Sequence, residues 1–240
     1  MGNSDTNLNG NFMPHPVIIN IPPGSAPIFS IDVECVATGT MHNSRSVAQI
    51  ALVDEWGQPV CNLYIKSVVP VMSYFTKLTG LTKEIIDQYG QSFADALVML
   101  RSHLPPNAIL VGQNIKKDVE WLQLVEGLDF ASMIDLTALF RVWNPQRKQY
   151  TAFSQDHTAK VWLQVPDREQ HDAVSDACIS VALFNAYRSI QWDPVRLYQL
   201  QMAMLHTSRQ PAFSALNPTI DGCCLGNKKN CKCGAPFFIS

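Results

Sequence analysis

The chain has 240 residues, of which 47% are hydrophobic and 16% are charged, and its formal net charge at pH 7 is −2. These values indicate one globular domain with extensions and exclude a chain that is disordered throughout. The weak net charge also excludes a surface that coats nucleic acid non-specifically, although it is compatible with an enzyme that grips a few phosphates through metal ions.

The ends and the cysteines of the chain bear on its location. No run approaches the roughly 20 apolar residues of a membrane span, and no apolar signal segment is visible near the N-terminus. Without such a signal, seven cysteines favour a reduced protein over a disulfide framework. We therefore expect an intracellular protein, cytoplasmic or nuclear.

The first residues, MGNSDT, match the loose N-myristoylation pattern, with Gly2 followed by Thr6. No basic patch follows to provide a second membrane signal. We therefore expect residues 1–24 to form a polar, disordered leader, without stable membrane association.

The first half of the chain predicts three strands followed by two helices. Apolar residues alternate in IFSIDVEC (28–35), which predicts a strand. SVAQIALVDEWGQPVCNLYIK predicts two strands joined by a turn at Gly57. LTGLTKEIIDQYG predicts a loop and then a helix with Thr82 as its N-cap. SFADALVMLRSHL predicts a second helix, which Pro105 and Pro106 end.

Strands and helices alternate in the second half. NAILVGQ predicts a buried strand, IKKDVEWLQLV an amphipathic helix, FASMIDLTALF a strand or strand-to-helix segment, and RVWNPQRKQY a polar loop. Helices are predicted at 154–163 and 173–190, and one further helix precedes a Cys-rich tail. This order predicts an α/β fold with a mixed sheet and helices on its faces.

Two carboxylates alternate with apolar residues in the first strand. Asp32 and Glu34 are two residues apart, so both side chains project from one face, about 6.5–7 Å apart along the backbone. In a buried strand, desolvation and mutual repulsion make this costly unless a cation neutralises the charges. The alternative is that the strand ends here and both acids are solvated.

A third acid, Asp118, shares a helix face with Trp121, Leu122 and Val125. The helix dipole favours an acid in the first turn by about 0.3–1 kcal/mol, but it would do so equally on the exposed face. The dipole therefore does not explain why an acid lies on the face predicted to be packed.

The fourth acid, Asp176, lies one turn into helix 173–190, on the edge of its apolar stripe. Asp172 is the expected N-cap of this helix, which leaves His171 just outside it. Either side chain alone is explained as a solvated residue at a helix start. The four acids together favour a cation site.

The ordered motifs SIDVEC, LVGQNIKKD and HDAVSD resemble those of the DEDDh exonucleases over about residues 27–190. These are metal-dependent 3′→5′ nucleases related to RNase T. The resemblance implies a ribonuclease H-like mixed five-stranded sheet flanked by helices at 25–190, with a Cys-rich extension at 191–240. Gln113, where relatives often have His, departs from the pattern but is not a ligand position. The catalytic residues implied are Asp32, Glu34, Asp118, Asp176 and His171.

The resemblance also implies cofactors and a substrate. The four carboxylates would hold two Mg²⁺ or Mn²⁺ ions, and His171 would be the general base. The loop KLTGLT resembles the family's loop near the terminal nucleotide, which implies contacts from Leu78, Thr79, Gly80 and Leu81. The chain looks closest to the RNA exonuclease branch, so single-stranded RNA is the expected substrate. A DNA exonuclease and a non-catalytic RNA- or protein-binding scaffold stay open, and no protein partner is indicated.

The tail DGCCLGNKKNCKCG concentrates four cysteines. Four thiolates in a Gly-rich segment are a suitable ligand set for one structural Zn²⁺. The spacing matches no standard zinc finger, and adjacent ligands are geometrically awkward, so disulfides or free thiols are the alternatives. The candidate zinc ligands are Cys223, Cys224, Cys231 and Cys233.

Overall fold

The computed structural model describes residues 17–22 and 24–237. The N-myristoylation pattern, and most of the predicted leader, lie outside the described residues. The described end of the leader contacts the domain: the Ile19 N–H donates to Gln191 Oε1 at 2.8 Å, and the Tyr187 hydroxyl donates to the Val17 carbonyl at 2.8 Å. Contact with the domain thus begins before residue 25.

A mixed sheet forms the centre of the described chain. Its strands are β1 (Ile28–Ala37), β2 (Arg45–Asp54), β3 (Pro59–Ile65), β4 (Gly90–Gln91), β5 (Ile109–Gly112) and β6 (Ser132–Asp135). Their order is β4-β3-β2-β1-β5-β6. β2 runs antiparallel to β1 and β3, and the other neighbours are parallel. The predicted mixed α/β fold is confirmed. The prediction of five strands missed β4, because a strand of two residues is too short to show a periodic pattern in the sequence.

Helices cover both faces of this sheet. Across the described chain they are α1 (Thr76–Thr79), α2 (Lys83–Tyr89), α3 (Phe93–His103), α4 (Lys116–Trp121), α5 (Leu136–Leu139), α6 (Gln155–Trp162), α7 (Ala173–Ile190), α8 (Pro194–His206) and α9 (Phe213–Leu216). Thr82 caps α2 and Asp172 caps α7, as predicted. α4 is shorter than predicted, because Gln123 adopts a left-handed φ of 51°. On the face predicted to be packed, Leu122 is buried, whereas Trp121 and Val125 are exposed.

The two faces of β1 belong to two different parts of the core. Ile31 is buried on one face, in a cluster that includes residues of α3 and α4. Ile28 is buried on the other face, in a cluster that includes residues of α7. Asp32 and Glu34 alternate with Ile31 and therefore lie on the α7 face. The strand register thus directs both carboxylates toward α7.

The segment predicted as a polar loop forms a hairpin. β7 (Val142–Asn144) pairs with β8 (Gln149–Thr151) in antiparallel register. The Asn144 side chain accepts hydrogen bonds from the backbone N–H groups of Gln146 and Arg147, which closes the turn. The prediction of a loop was wrong because the strands are only three residues long. A second short pair, β9 (Thr219–Ile220) and β10 (Cys223–Cys224), lies in the tail. Among the described helices, none is both long and apolar enough to cross a bilayer.

Candidate active site

Three carboxylates converge where β1 meets α7. Oxygen atoms of Asp32, Glu34 and Asp176 all lie within 4.8 Å of one another. The first residue of α7 is anchored to β2, because the backbone N–H of Ala173 donates to Gln49 Oε1 at 3.3 Å. Gln49 is in turn the register partner of Glu34. The same strand pair therefore aligns Glu34 and the start of α7.

Asp118 lies outside this group of three but next to it. Among the charged groups, it raises the pKa of Asp32 more than any other. Asp118 is in the first turn of α4, after β5, and is partly buried. The structure thus brings all four predicted carboxylates to one site, three of them in direct proximity.

The site disfavours negative charge. Burial, followed by repulsion from Asp118 and Asp176, raises the pKa of Asp32 well above its usual range. Burial, followed by repulsion from Asp176, raises the pKa of Glu34 to about 8. Burial also raises the pKa of Asp118 to about 7, against the opposing effect of backbone N–H groups. Hard oxygen donors that resist ionisation without a counter-charge fit a divalent cation such as Mg²⁺ or Mn²⁺.

His171 lies outside α7, next to the carboxylates. Its backbone N–H donates to the Leu78 carbonyl at 2.7 Å. Its Nδ1 lies 3.3 Å from an oxygen of Asp176, and its Nε2 lies 3.2 Å from an oxygen of Asp156. Hydrogen bonds with Asp156 and Asp176 raise the pKa of His171 to about 10. The ring is thus held between two acids on different helices.

Asp156 and Arg168 complete the site and were missed from the sequence. The Arg168 guanidinium pairs with Asp176, and it donates to Asp156 at 2.7 Å and to Gln155 Oε1 at 3.2 Å. Asp156 lies in the first turn of α6, where it looks like an ordinary helix-start acid. In the sequence, the only indication of this part of the site was the arginine of REQH, three residues before the histidine.

The predicted substrate loop is mostly internal. Thr79 and Leu81 are buried, and Thr79 Oγ1 accepts the Leu81 N–H at 3.1 Å and donates to the Tyr74 carbonyl at 3.1 Å. These hydrogen bonds shape the turn. Leu78 and Gly80 are partly exposed, and contact of the four predicted loop residues with a terminal nucleotide remains a prediction.

A cleft of about 1110 Å³ adjoins His171. Its lining includes the loop that carries Arg168 and His171, together with residues 210–213 and 216–217 of the C-terminal extension. The extension thus forms part of the surroundings of the candidate base.

The Cys-rich tail forms a separate cluster that includes a histidine. Ligand atoms of His42, Cys224, Cys231 and Cys233 lie within 4.8 Å of one another. Cys223, which the sequence placed among the ligands, is outside this group because adjacent residues of a strand point to opposite faces. Backbone N–H groups of His42 and Ala235 lower the pKa of the Cys233 thiol to about 6.

The chain is similar to known nucleases in sequence and fold. The RNase_T family model, described as an exonuclease, matches residues 29–184. RNA exonuclease 5 of Homo sapiens is 29% identical over 198 residues, which cover 81% of this chain and 24% of that protein. Small RNA degrading nuclease 3 of Arabidopsis thaliana is 28% identical over 160 residues, covering 66% of this chain and 20% of that protein. The chain thus spans a quarter or less of the length of these two relatives.

Among solved structures, the Saccharomyces cerevisiae Pan2 pseudoubiquitin hydrolase-RNA exonuclease module in complex with A7 RNA matches with a TM-score of 0.61. The match covers 79% of this chain and 33% of that chain, at 16% sequence identity. At this identity the likeness shows that the two share a fold.

Proposed function

The chain belongs to the RNase_T exonuclease family, and from this premise we propose that it is a metal-dependent 3′→5′ exoribonuclease. It would hydrolyse single-stranded RNA from the 3′ end and release nucleoside 5′-monophosphates. The observation that carries this proposal is the group of three carboxylates within 4.8 Å, with His171 hydrogen-bonded to one of them.

The carboxylates would bind two divalent ions. We assign Asp32, Glu34 and Asp176 to one ion, because their oxygens already converge. Asp32 and Asp118 would hold the second ion. When bound, two such ions neutralise charge on the phosphoryl oxygens, lower the pKa of the attacking water and stabilise the leaving oxygen.

His171 would accept the proton of the attacking water. The water oxygen then forms a bond to phosphorus, the bond from phosphorus to the 3′ oxygen breaks, and that oxygen takes up a proton to become the new 3′-OH. A base must be neutral before the reaction, whereas Asp156 and Asp176 raise the pKa of His171 to about 10. A divalent ion held by Asp176 would weaken the attraction of that carboxylate for the ring and would thus lower the pKa of His171.

Support for RNA comes from the relatives, two of which are named as an RNA exonuclease and a small RNA degrading nuclease. Support for attack at a chain end comes from the turn that ends at Gly80. Its Leu78 carbonyl holds the backbone of His171, so a terminal nucleotide bound against Leu78 would lie beside the base. Contacts to the 2′-OH would then distinguish RNA from DNA.

The test is a time course on 5′-labelled single-stranded RNA with Mg²⁺ or Mn²⁺, beside a DNA of the same sequence. We expect a ladder that shortens from the 3′ end, nucleoside 5′-monophosphates as products, and slower cleavage of DNA. Asp32→Ala should abolish the ladder, whereas Glu120→Gln, which changes an exposed acid of α4, should not. An intact RNA with folded, metal-supplemented protein would contradict the proposal and favour the scaffold. Faster cleavage of DNA would favour the DNA exonuclease.

A further inference from the structure

We propose that His42, Cys224, Cys231 and Cys233 bind one structural zinc ion, which fastens the C-terminal extension to the turn beside His171. The proposal concerns a site separate from the carboxylates. It differs from a site made of the four cysteines of the tail, because the fourth ligand comes from the loop between β1 and β2, far away in sequence.

The distances in this cluster match the edges of a zinc tetrahedron. The Sγ atom of Cys231 lies 3.5 Å from that of Cys224 and 3.4 Å from that of Cys233. His42 Nδ1 lies 3.2 Å from Cys233 Sγ and 3.6 Å from Cys231 Sγ. Tetrahedral bonds of about 2.3 Å to sulfur and about 2.05 Å to nitrogen give edges of about 3.8 Å between sulfurs and about 3.5 Å between sulfur and nitrogen. Four ligands of zinc-preferring type thus already stand close to the required separations.

The backbone around the cluster brings these four residues together. The Cys224 N–H donates to the Thr40 carbonyl at 2.8 Å, which attaches β10 to the loop that carries His42. Gly226 adopts a φ of +73°, and a Cβ there would lie 3.1 Å from that of His42, so a larger residue would push the histidine away. The His42 ring also stacks on Phe237, with 4.2 Å between ring centroids. The histidine is thus enclosed by the tail from two sides.

The surrounding groups suit a bound zinc thiolate centre. The Gly226 N–H points at Cys224 Sγ, 3.4 Å away, as an outer partner of a ligand sulfur. Three thiolates and a neutral imidazole around Zn²⁺ carry a net charge of −1. Arg45, whose guanidinium donates to the Cys224 carbonyl, is positioned to offset that charge.

The site connects to the catalytic turn through a small apolar cluster. Cys223 points away from the ligands and packs with Ala37 and Phe75, and Leu78 packs against the same cluster. On the same segment, Asp221 accepts a hydrogen bond of 2.6 Å from Ser73 Oγ. Because the Leu78 carbonyl holds the backbone of His171, the zinc ion would stabilise the position of the candidate base. This last connection rests on the proposed exonuclease function, whereas zinc binding does not.

Zinc content of the full chain, purified with a thiol reductant, tests the site without any RNA. We expect about one zinc per chain, and a cobalt-substituted protein with the strong absorption of four-coordinate, thiolate-bound Co²⁺. Cys224→Ser and His42→Ala should weaken zinc affinity by roughly 10–100-fold or more. Cys223→Ala is the matched control and should retain zinc, and His42→Cys should restore it to a chain that His42→Ala depletes.

Two results would overturn zinc binding at these residues. One is a folded wild type that takes up no zinc or cobalt under reducing conditions. The other is loss of zinc in Cys223→Ala together with retention in His42→Ala, which would assign the site to the four cysteines. If zinc binds, amide exchange of residues 73–81 should be about tenfold faster in zinc-depleted protein than in loaded protein. Equal exchange in the two forms would contradict the fastening of the turn.

Discussion

Replacing Glu34 by Gln should stabilise the protein when Mg²⁺ and Mn²⁺ are absent. Glu34 lies among like charges, and burial and Asp176 raise its pKa from 4.5 to about 8. Between these two pH values the folded chain retains a proton that the unfolded chain releases. The free energy of unfolding therefore falls as the pH rises from about 4.5 to about 8. Glutamine keeps the shape of the side chain and removes this loss.

The size of the effect follows from the pKa shift. Each pH unit above the unfolded-state pKa of 4.5 lowers the free energy of unfolding by about 1.4 kcal/mol. At pH 7 the total loss is about 3 kcal/mol. The neighbouring acids also change their protonation when Glu34 is replaced, which reduces the effect. We therefore expect the free energy of unfolding of Glu34→Gln to exceed that of wild type by roughly 1–3 kcal/mol at pH 7. For a chain of this length, that corresponds to a rise in Tm of about 2–12 °C.

Thermal unfolding of wild type and Glu34→Gln, at several pH values between 5 and 8 and in metal-free buffer, measures the effect. The advantage of the variant should be small at pH 5 and grow toward pH 8, and added Mg²⁺ should reduce it by stabilising wild type only. Glu120→Gln is the control. Glu120 is exposed, with its Oε1 atom 3.8 Å from Lys116 Nζ, and because an exposed ion pair contributes little to stability, this variant should change Tm little. A Glu34→Gln variant that is less stable than wild type at pH 8 would refute the reasoning.

Three further predictions concern the base and its surroundings. His171→Ala should lower kcat by about 10²–10⁴-fold while Mg²⁺ affinity, measured by calorimetry, stays within about threefold, because the ring is not an assigned ligand; equal losses of both would make it a ligand. Asp156→Asn removes a negative charge that raises the pKa of His171, so the part of the pH–rate profile set by this ring should move to lower pH; an unchanged profile would leave Asp156 a purely structural role. Thr79→Val removes the hydroxyl that bonds Leu81 and Tyr74 and should cost about 1–3 kcal/mol in denaturant unfolding; no loss would mean that the turn does not depend on this hydroxyl.

Features with a local cause were predictable from the sequence. Helix α7 spans Ala173–Ile190, which are the predicted bounds, because its N-cap Asp172 immediately precedes the segment and its apolar stripe runs along it. The placement of Asp32 and Glu34 on one face of β1 likewise follows from the two-residue period of a strand. The end of α4 was not predictable, because the left-handed conformation of Gln123 has no marker among its neighbours.

Some residues of the two candidate sites could likewise be named from the sequence, and others could not. Asp32, Glu34, Asp118, His171 and Asp176 were named from short motifs that resemble those of the DEDDh exonucleases, and such motifs can be read in the linear chain. The sequence also indicated a metal-binding tail from the density of its cysteines.

Only the tertiary structure decided which side chains meet across elements. It placed Asp156 of α6 and Arg168 against His171, and it placed His42, and not Cys223, with Cys224, Cys231 and Cys233 in the group that could hold a metal ion. The physical reason is that these contacts form when separate elements pack: His42 and Cys233 are 191 residues apart in the chain. Neither spacing nor periodicity encodes such a distance, whereas the pleat of β10 and the packing of the tail on the β1–β2 loop determine it.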